Sequence, residues 1–112
     1  MSISILVVDD DVNSREVLAL LLSGEGYGVD VCEGPLEALQ ELSARAYDIL
    51  LTDYVMPAMS GLELTRRASA LHGALRCFII TGQPPPATLD LGQVTWVAKP
   101  LDFDELLVAM NS

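Results

Sequence analysis

The sequence predicts a doubly wound α/β domain with a five-stranded parallel sheet and right-handed crossovers. Its short apolar runs are continuous rather than alternating, which is typical of strands covered by helices on both faces. Helical patterns separate these runs, so strands and helices alternate along the chain. A chain of 112 residues has the length of one domain, and we expect residues 1–112 to form it.

Four of the predicted strands are largely apolar and are expected to be buried on both faces. They span residues 3–8, 49–52, 77–80 and 96–98, and residues 28–32 form a fifth, weaker candidate.

Each helix is predicted from apolar residues at helical spacing. These residues are Val17, Leu18, Leu21 and Leu22 in the first helix; Leu36, Leu39 and Leu42 in the second; Leu64, Ala68 and Leu71 in the third; and Phe103, Leu106, Leu107 and Met110 in the last. Gly24 and Gly26 are expected to end the first helix. Pro35 suits the first position of the second helix, and Gly61 begins the third.

Charge and composition exclude several classes of partner. The chain has 6 basic and 16 acidic residues and a formal net charge of −10, which argues against DNA, RNA or an anionic membrane surface. The apolar runs are too short to span a bilayer, and no signal peptide is evident, so we expect a cytoplasmic protein. Cys32 and Cys77 lack zinc-ligand spacing and would lie on strands too far apart to form a disulfide, so free thiols are expected.

Polar side chains follow four of the predicted strands, at the point where each strand ends. Asp9 and Asp10 follow the first strand, and Asp53 follows the third. Thr81 ends the fourth strand and Lys99 follows the fifth. Each has an ordinary explanation when taken alone, such as a helix cap or a solvated lysine. Because the carboxyl ends of parallel strands meet at one edge of the sheet, the four together predict a shared pocket.

The chemistry of this pocket points to phosphoryl transfer. Three carboxylates form an oxygen-rich, negative site that suits Mg²⁺. A lysine ammonium and a threonine hydroxyl opposite them could donate to an anion, and positioning with charge neutralisation accounts for most catalysis of phosphoryl transfer. A carboxylate can itself be the nucleophile, which would give an aspartyl phosphate.

Four motifs resemble those of receiver domains from two-component response regulators and hybrid sensor kinases. They are VVDDD (7–11), LLTDYVMPAMSGLEL (50–64), IITG (79–82) and VAKPLDFDEL (97–106). The resemblance implies a flavodoxin-like sheet of order 2-1-3-4-5 and a phosphoprotein that works in a phosphorelay. It also implies that Asp53 accepts a phosphoryl group from a phosphohistidine of a sensor histidine kinase or phosphotransfer protein. Such a domain is not an enzyme for other substrates, since it catalyses only its own phosphorylation and slow self-dephosphorylation.

The resemblance also implies a set of metal ligands. Asp10 and Asp53 would bind Mg²⁺ directly, together with the main-chain carbonyl of Val55. Asp9 would act through a metal-bound water.

The remaining site residues take their roles from the same resemblance. Lys99 would pair with Asp53 or with the phosphoryl oxygens, and Thr81 would hydrogen-bond the phosphoryl group. Trp96 stands where receivers carry an aromatic switch residue, although a plain packing role fits it equally well. The Lys99-Pro100 peptide bond is expected to be cis.

One segment departs from the family pattern. Residues 83–94 read QPPPATLDLGQV, and three consecutive prolines with a glycine leave room for about one and a half helical turns. We therefore expect a shortened or missing fourth helix between the fourth and fifth strands. Dimerisation through the face that this helix shares with the fifth helix is accordingly not expected.

Two alternatives remain open at this point. Residues 9–11 also match the D-x-D motif of haloacid dehalogenase-type phosphohydrolases, in which Asp9 would be the nucleophile, although Asn13 and the lack of a cap domain do not fit. The other alternative is a pseudo-receiver that binds partners without ever taking a phosphoryl group. Identifying which aspartate becomes phosphorylated would separate the three.

Overall fold

The computed structural model describes residues 2–84 and 94–111, which contain five strands and four helices. In chain order the elements are β1 (Ser4–Val8), α1 (Val12–Gly24), β2 (Gly28–Cys32), α2 (Pro35–Ala44), β3 (Ile49–Asp53), α3 (Gly61–Leu71), β4 (Arg76–Thr81), β5 (Val94–Ala98) and α4 (Phe103–Met110).

All five strands pair in parallel in the order β2-β1-β3-β4-β5. This confirms the predicted fold class and strand order. The order reverses direction at β1, so β1 and β3 lie side by side at the centre, and the crevice at their carboxyl ends is where such folds bind ligands.

Two apolar layers cover the sheet, because successive side chains of a strand point to opposite faces. Leu6 and Val8 of β1 pack with residues of α2 and α3, including Leu42 and Leu64. The other two buried residues of β1, which alternate with Leu6 and Val8, point to the opposite face and pack with α1 and α4. The continuous apolar strands seen in the sequence follow from this double coverage.

Side-chain caps start three of the helices. Asp11, Ser60 and Asp102 precede α1, α3 and α4, and each accepts a hydrogen bond from a main-chain N–H in the first turn. A cap of this type contributes about 1 kcal/mol. Pro35 occupies the start of α2, as predicted.

The predicted apolar faces of the helices were too wide. Val17 is 58% exposed and Leu21 44% exposed, whereas Arg15, Leu18 and Leu22 are buried. Residues 15, 18 and 22 form a narrow stripe at i, i+3 and i+7, and only this stripe of α1 is buried against the sheet. Leu36 and Leu71, at the ends of α2 and α3, are exposed for the same reason.

The predicted strand limits need smaller corrections. Ile3 lies outside β1 and is exposed, and β4 extends by one residue at each end, from Arg76 to Thr81. Strand β5 begins at Val94 and is only half-buried, contrary to the expectation of burial on both faces. It lies at the edge of the sheet and therefore lacks a neighbour on one side.

Several other expectations can be compared with the structure. The Lys99-Pro100 bond is cis, and Cys32 and Cys77 are buried free thiols, both as predicted. Within residues 2–84 and 94–111, no helix has the length and apolar character needed to cross a membrane. The predicted short or missing helix within residues 83–94 concerns a segment that lies mostly outside the described residues.

Candidate functional site

The register of the central strands brings the polar strand ends together. Val8 of β1 pairs with Thr52 of β3, so the residues that follow, Asp9 and Asp53, lie next to each other. On the other side of β3, the main-chain N–H of Lys99 donates to the carbonyl of Thr81 at 3.0 Å. The sheet therefore gathers the predicted site residues at one edge.

Three carboxylates meet at this edge. One oxygen from each of Asp9, Asp10 and Asp53 lies within 4.8 Å of the other two. Asp9 is only 8% exposed, and its Oδ1 accepts the main-chain N–H of Asp11 at 2.9 Å. Burial, reinforced by the neighbouring Asp53 carboxylate, raises the pKa of Asp9 to about 6. Burial and the neighbouring carboxylate therefore disfavour the ionised form of Asp9.

This donor set fits a magnesium ion. Magnesium prefers hard oxygen ligands, and sites for it are commonly built from one or two carboxylates that leave room for water and phosphate oxygens. A cavity of about 400 Å³ adjoins the cluster, and Asp53, Val55, Thr81 and Lys99 line it. Val55, whose carbonyl was predicted as a ligand, therefore lies at the same opening as the phosphoacceptor candidate.

Lys99 forms an ion pair with Asp53. Its Nζ lies 2.8 Å from Asp53 Oδ1, and the Lys99 side chain is 46% exposed while that of Asp53 is 14% exposed. The hydrogen bond to Asp53 raises the pKa of Lys99, so the ammonium stays charged. A positive charge thus lies beside Asp53 Oδ1, and the carboxylates of Asp9 and Asp10 lie close to the same residue.

Thr81 and Trp96 are joined through one residue. The buried Thr81 Oγ1 accepts the main-chain N–H of Gln83 at 3.1 Å, and Trp96 Nε1 donates to the Gln83 carbonyl at 2.8 Å. The Trp96 ring also packs edge-on against Tyr54, with centroids 5.2 Å apart and ring planes at 70°.

The glycine in the DYVMPAMSG run has a steric explanation. A Cβ on Gly61 would collide with the main-chain oxygen of Asp53 and lie 3.1 Å from the Cα of Tyr54. The N–H of Gly61 donates to the Tyr54 carbonyl at 2.7 Å. Ala58 in the same loop has φ 74°, in the left-handed region. The loop therefore brings the start of α3 directly against the main chain at Asp53.

Sequence reasoning missed two residues that support the site. Arg15 is buried, and its Nη1 donates to the main-chain oxygen of Asp9 at 2.9 Å, which fixes the start of the acidic loop. Arg15 stands at helical spacing from Leu18 and Leu22, and this spacing was the sequence feature that could have indicated its burial. Tyr54 was missed as the partner of Trp96, because residues 42 positions apart give no local pattern.

An apolar cavity of about 180 Å³ opens beside the acidic cluster. Its walls come from α1, from the ends of the central strands and from Leu101, and they include Val17 and Leu21, while Asp53 and Lys99 also line it. Because Val17 and Leu21 are exposed, this apolar surface continues onto the outside of α1.

Comparison with known proteins identifies a family. The family model described as the response regulator receiver domain matches residues 5–111. The transcriptional regulatory protein ZraR of Escherichia coli O157:H7 is 36% identical over 114 residues, which cover 98% of this chain and 26% of ZraR. The chain thus spans about a quarter of the length of that relative.

Solved structures of response regulators resemble this chain in sequence and in fold. The response regulator TrrA of Thermotoga maritima, solved in complex with Mg²⁺-BeF, is 33% identical with a TM-score of 0.89, and the match covers 99% of this chain and 97% of that one. A structure of the histidine kinase ThkA in complex with TrrA also matches, at 32% identity and a TM-score of 0.88, and covers 99% of this chain and 97% of that one.

Proposed function

The chain belongs to the response regulator receiver domain family, and on that premise we propose that it is a signalling switch controlled by phosphorylation of Asp53. One observation carries the proposal: Asp53 meets two further carboxylates within 4.8 Å and a lysine ammonium at 2.8 Å. Two further carboxylates would only repel a carboxylate that had a purely structural role. Beside a phosphoacceptor, they can hold the metal ion that the reaction uses.

In the proposed reaction, a carboxylate oxygen of Asp53 attacks the phosphorus of a phosphohistidine. The new P–O bond forms as the P–N bond breaks, and the leaving ring nitrogen keeps the bonding electrons. The imidazole departs neutral when its other nitrogen already carries a proton. The product is an aspartyl phosphate on Asp53.

The surrounding residues would stabilise the charge on the transferring group. Lys99 would exchange its Asp53 oxygen for a phosphoryl oxygen, and the Thr81 hydroxyl would donate to another. Mg²⁺, when bound, would neutralise charge on the phosphoryl oxygens. Asp10, Asp53 and the Val55 carbonyl would hold it directly, with Asp9 acting through a water.

The phosphorylated state is expected to decay slowly. Hydrolysis requires a water to attack phosphorus, which releases inorganic phosphate and restores the Asp53 carboxylate. Val55 and Gln83 line the cavity beside Asp53, and neither side chain can act as a general base for that water.

The phosphodonor would be a sensor histidine kinase or a phosphotransfer protein. Any such donor must cover the surface around Asp53, where the apolar cavity opens and where Val17 and Leu21 of α1 are exposed. The complex of TrrA with ThkA supports this class of partner. We place the domain in the cytoplasm, where unpaired cysteines are common, and we expect no nucleic acid or membrane partner for it.

Intact-protein mass spectrometry tests the proposal. A small acyl phosphate donor with Mg²⁺ should add one phosphoryl group to the wild type and none to Asp53→Asn. Equal labelling of both would rule out Asp53 as the acceptor. Labelling that is lost only in Asp9→Asn would favour the haloacid dehalogenase-type alternative, and no labelling of any variant would favour a pseudo-receiver.

A further inference from the structure

Arg15 is bonded to the loop that carries two of the three clustered carboxylates. Its Nη1 donates to the main-chain carbonyl of Asp9 at 2.9 Å, and the Arg15 side chain is buried. From another element, the carbonyl of Cys32 at the end of β2 accepts the N–H of Asp9 at 3.2 Å. The main chain of Asp9 is thus held from α1 and from β2 at once.

Hydrogen bonds fix the main chain on both sides of Asp10. The peptide group before Asp10 contains the Asp9 carbonyl, so Arg15 holds that group through its oxygen. The peptide group after Asp10 contains the N–H of Asp11, which donates to Oδ1 of Asp9 at 2.9 Å. The Asp10 side chain itself is exposed, and no residue within 2–84 and 94–111 gives it a hydrogen bond or an ion pair. The placement of its carboxylate therefore depends on its main chain.

Packing does not explain why this buried residue is an arginine. Arg15 shares the buried stripe of α1 with Leu18 and Leu22, where an apolar side chain would avoid the cost of burying a charge. Arg15 also forms no salt bridge with any carboxylate of the described part of the chain. What an apolar side chain could not supply is a donor for the Asp9 carbonyl, and this bond therefore accounts for the arginine.

We propose that Arg15 is a positioning residue for magnesium: its guanidinium holds the Asp9–Asp10 peptide group so that the Asp10 carboxylate is already placed when the metal binds. This inference rests on the proposed function, in which Asp10 is a direct ligand. Mg²⁺ demands nearly ideal octahedral geometry, whereas Ca²⁺ accepts six to eight oxygen ligands in flexible arrangements. Loss of Arg15 should therefore weaken the binding of Mg²⁺ more than that of Ca²⁺.

Two other roles of Arg15 predict different results. If only its charge mattered, the guanidinium would repel a cation bound at the nearby carboxylates, and its removal would strengthen the binding of Mg²⁺ and Ca²⁺ together. If it were only a structural contact, its removal would loosen the site and weaken the binding of both cations alike. The ratio of the two affinities therefore separates positioning from both alternatives.

Titration of the full chain with MgCl₂ or CaCl₂, followed through main-chain amide resonances by NMR, tests the proposal. Arg15→Met keeps a long apolar side chain on the buried stripe but has neither donor nor charge. It should bind Mg²⁺ about tenfold more weakly than the wild type, at the lower end of the effect of losing a residue that orients a metal ligand. Its Ca²⁺ affinity should fall by about twofold or less. Arg66→Met removes the same group from the exposed face of α3 and should bind both cations like the wild type.

The possible outcomes are distinct. Wild-type Mg²⁺ affinity in Arg15→Met would overturn the inference, as would stronger binding of both cations or equal weakening of both. Each of these results would leave Mg²⁺ binding by the wild type, and with it the proposed function, intact. If the wild type binds no Mg²⁺, the proposed function fails together with this inference.

The wild-type protein provides a measurement that needs no variant. Because Arg15 is buried and donates to Asp9, its side-chain N–H resonances should exchange with solvent more slowly than those of the exposed Arg66, and should shift when Mg²⁺ is added. Exchange as fast as that of Arg66 would show that the bond to Asp9 does not persist in solution, and would overturn the inference.

Discussion

Replacing Asp9 with asparagine is expected to stabilise the metal-free protein at neutral pH, although Asp9 belongs to the site. Asparagine has nearly the same shape, and its side-chain oxygen can still accept the N–H of Asp11. What it removes is a negative charge that is almost fully buried beside Asp53. The expected gain is therefore electrostatic.

The size of the gain follows from the pKa of Asp9, which burial raises from 3.8 to about 6. At about 1.4 kcal/mol per pKa unit, ionising this group in the folded state costs up to about 3 kcal/mol. Between about pH 4 and pH 6 the folded protein holds a proton that the unfolded chain has released. The stability due to this group is thus complete below about pH 4 and is lost as the pH rises to about 6.

Urea denaturation with EDTA, at several pH values, measures the effect. Asp9→Asn should exceed the wild type in unfolding free energy by up to about 3 kcal/mol at pH 7.5, and by little at pH 4. Asp104→Asn, which removes a charge from the exposed first turn of α4, should change stability by less than about 0.5 kcal/mol. Added Mg²⁺ should stabilise the wild type more than Asp9→Asn. A difference between Asp9→Asn and the wild type that is independent of pH, or a loss of stability in Asp9→Asn, would refute the reasoning.

Three further predictions concern the loop after β3 and the core. Gly61→Ala should destabilise the protein by more than about 1 kcal/mol in urea and slow phosphorylation by a small donor, since the added methyl would displace the main chain at the phosphoacceptor; wild-type behaviour would contradict the close approach. Ala58→Gly should raise stability by about 0.5 kcal/mol by relieving the positive φ, whereas Ala70→Gly on the exposed face of α3 should lower it by about 1 kcal/mol. Cys32 and Cys77 should react with a thiol reagent only after denaturation, because burial raises both pKa values, that of Cys32 to about 11; rapid labelling of the native protein would show that they are accessible.

The sequence was sufficient for the fold and for the expectation that the polar strand ends meet at one edge of the sheet. Continuous apolar strands and polar strand ends are local features, and a parallel sheet has few ways of arranging them. The gathering of Asp9, Asp53 and Lys99 at one edge follows from the strand order and register, and it could be expected before any distance was known.

The remaining features depend on contacts that no local pattern encodes. The exposure of Val17 and Leu21 is set by how narrowly α1 touches the sheet, and the half-burial of β5 by its place at the edge. Alanine rarely adopts the left-handed conformation that Ala58 has, so the sequence did not predict it. The contact between Tyr54 and Trp96 joins distant parts of the chain, so it became visible only once β3 and β5 were placed.

Chemical mapping of the phosphorylated residue tests the central claim most directly. An aspartyl phosphate is an acyl phosphate, and borohydride reduces it to homoserine, which peptide sequencing by mass spectrometry can locate. After treatment with a small phosphodonor and Mg²⁺, homoserine should appear at position 53 and at no other aspartate. Homoserine at position 9, or none at all under conditions in which the protein binds Mg²⁺, would contradict the account.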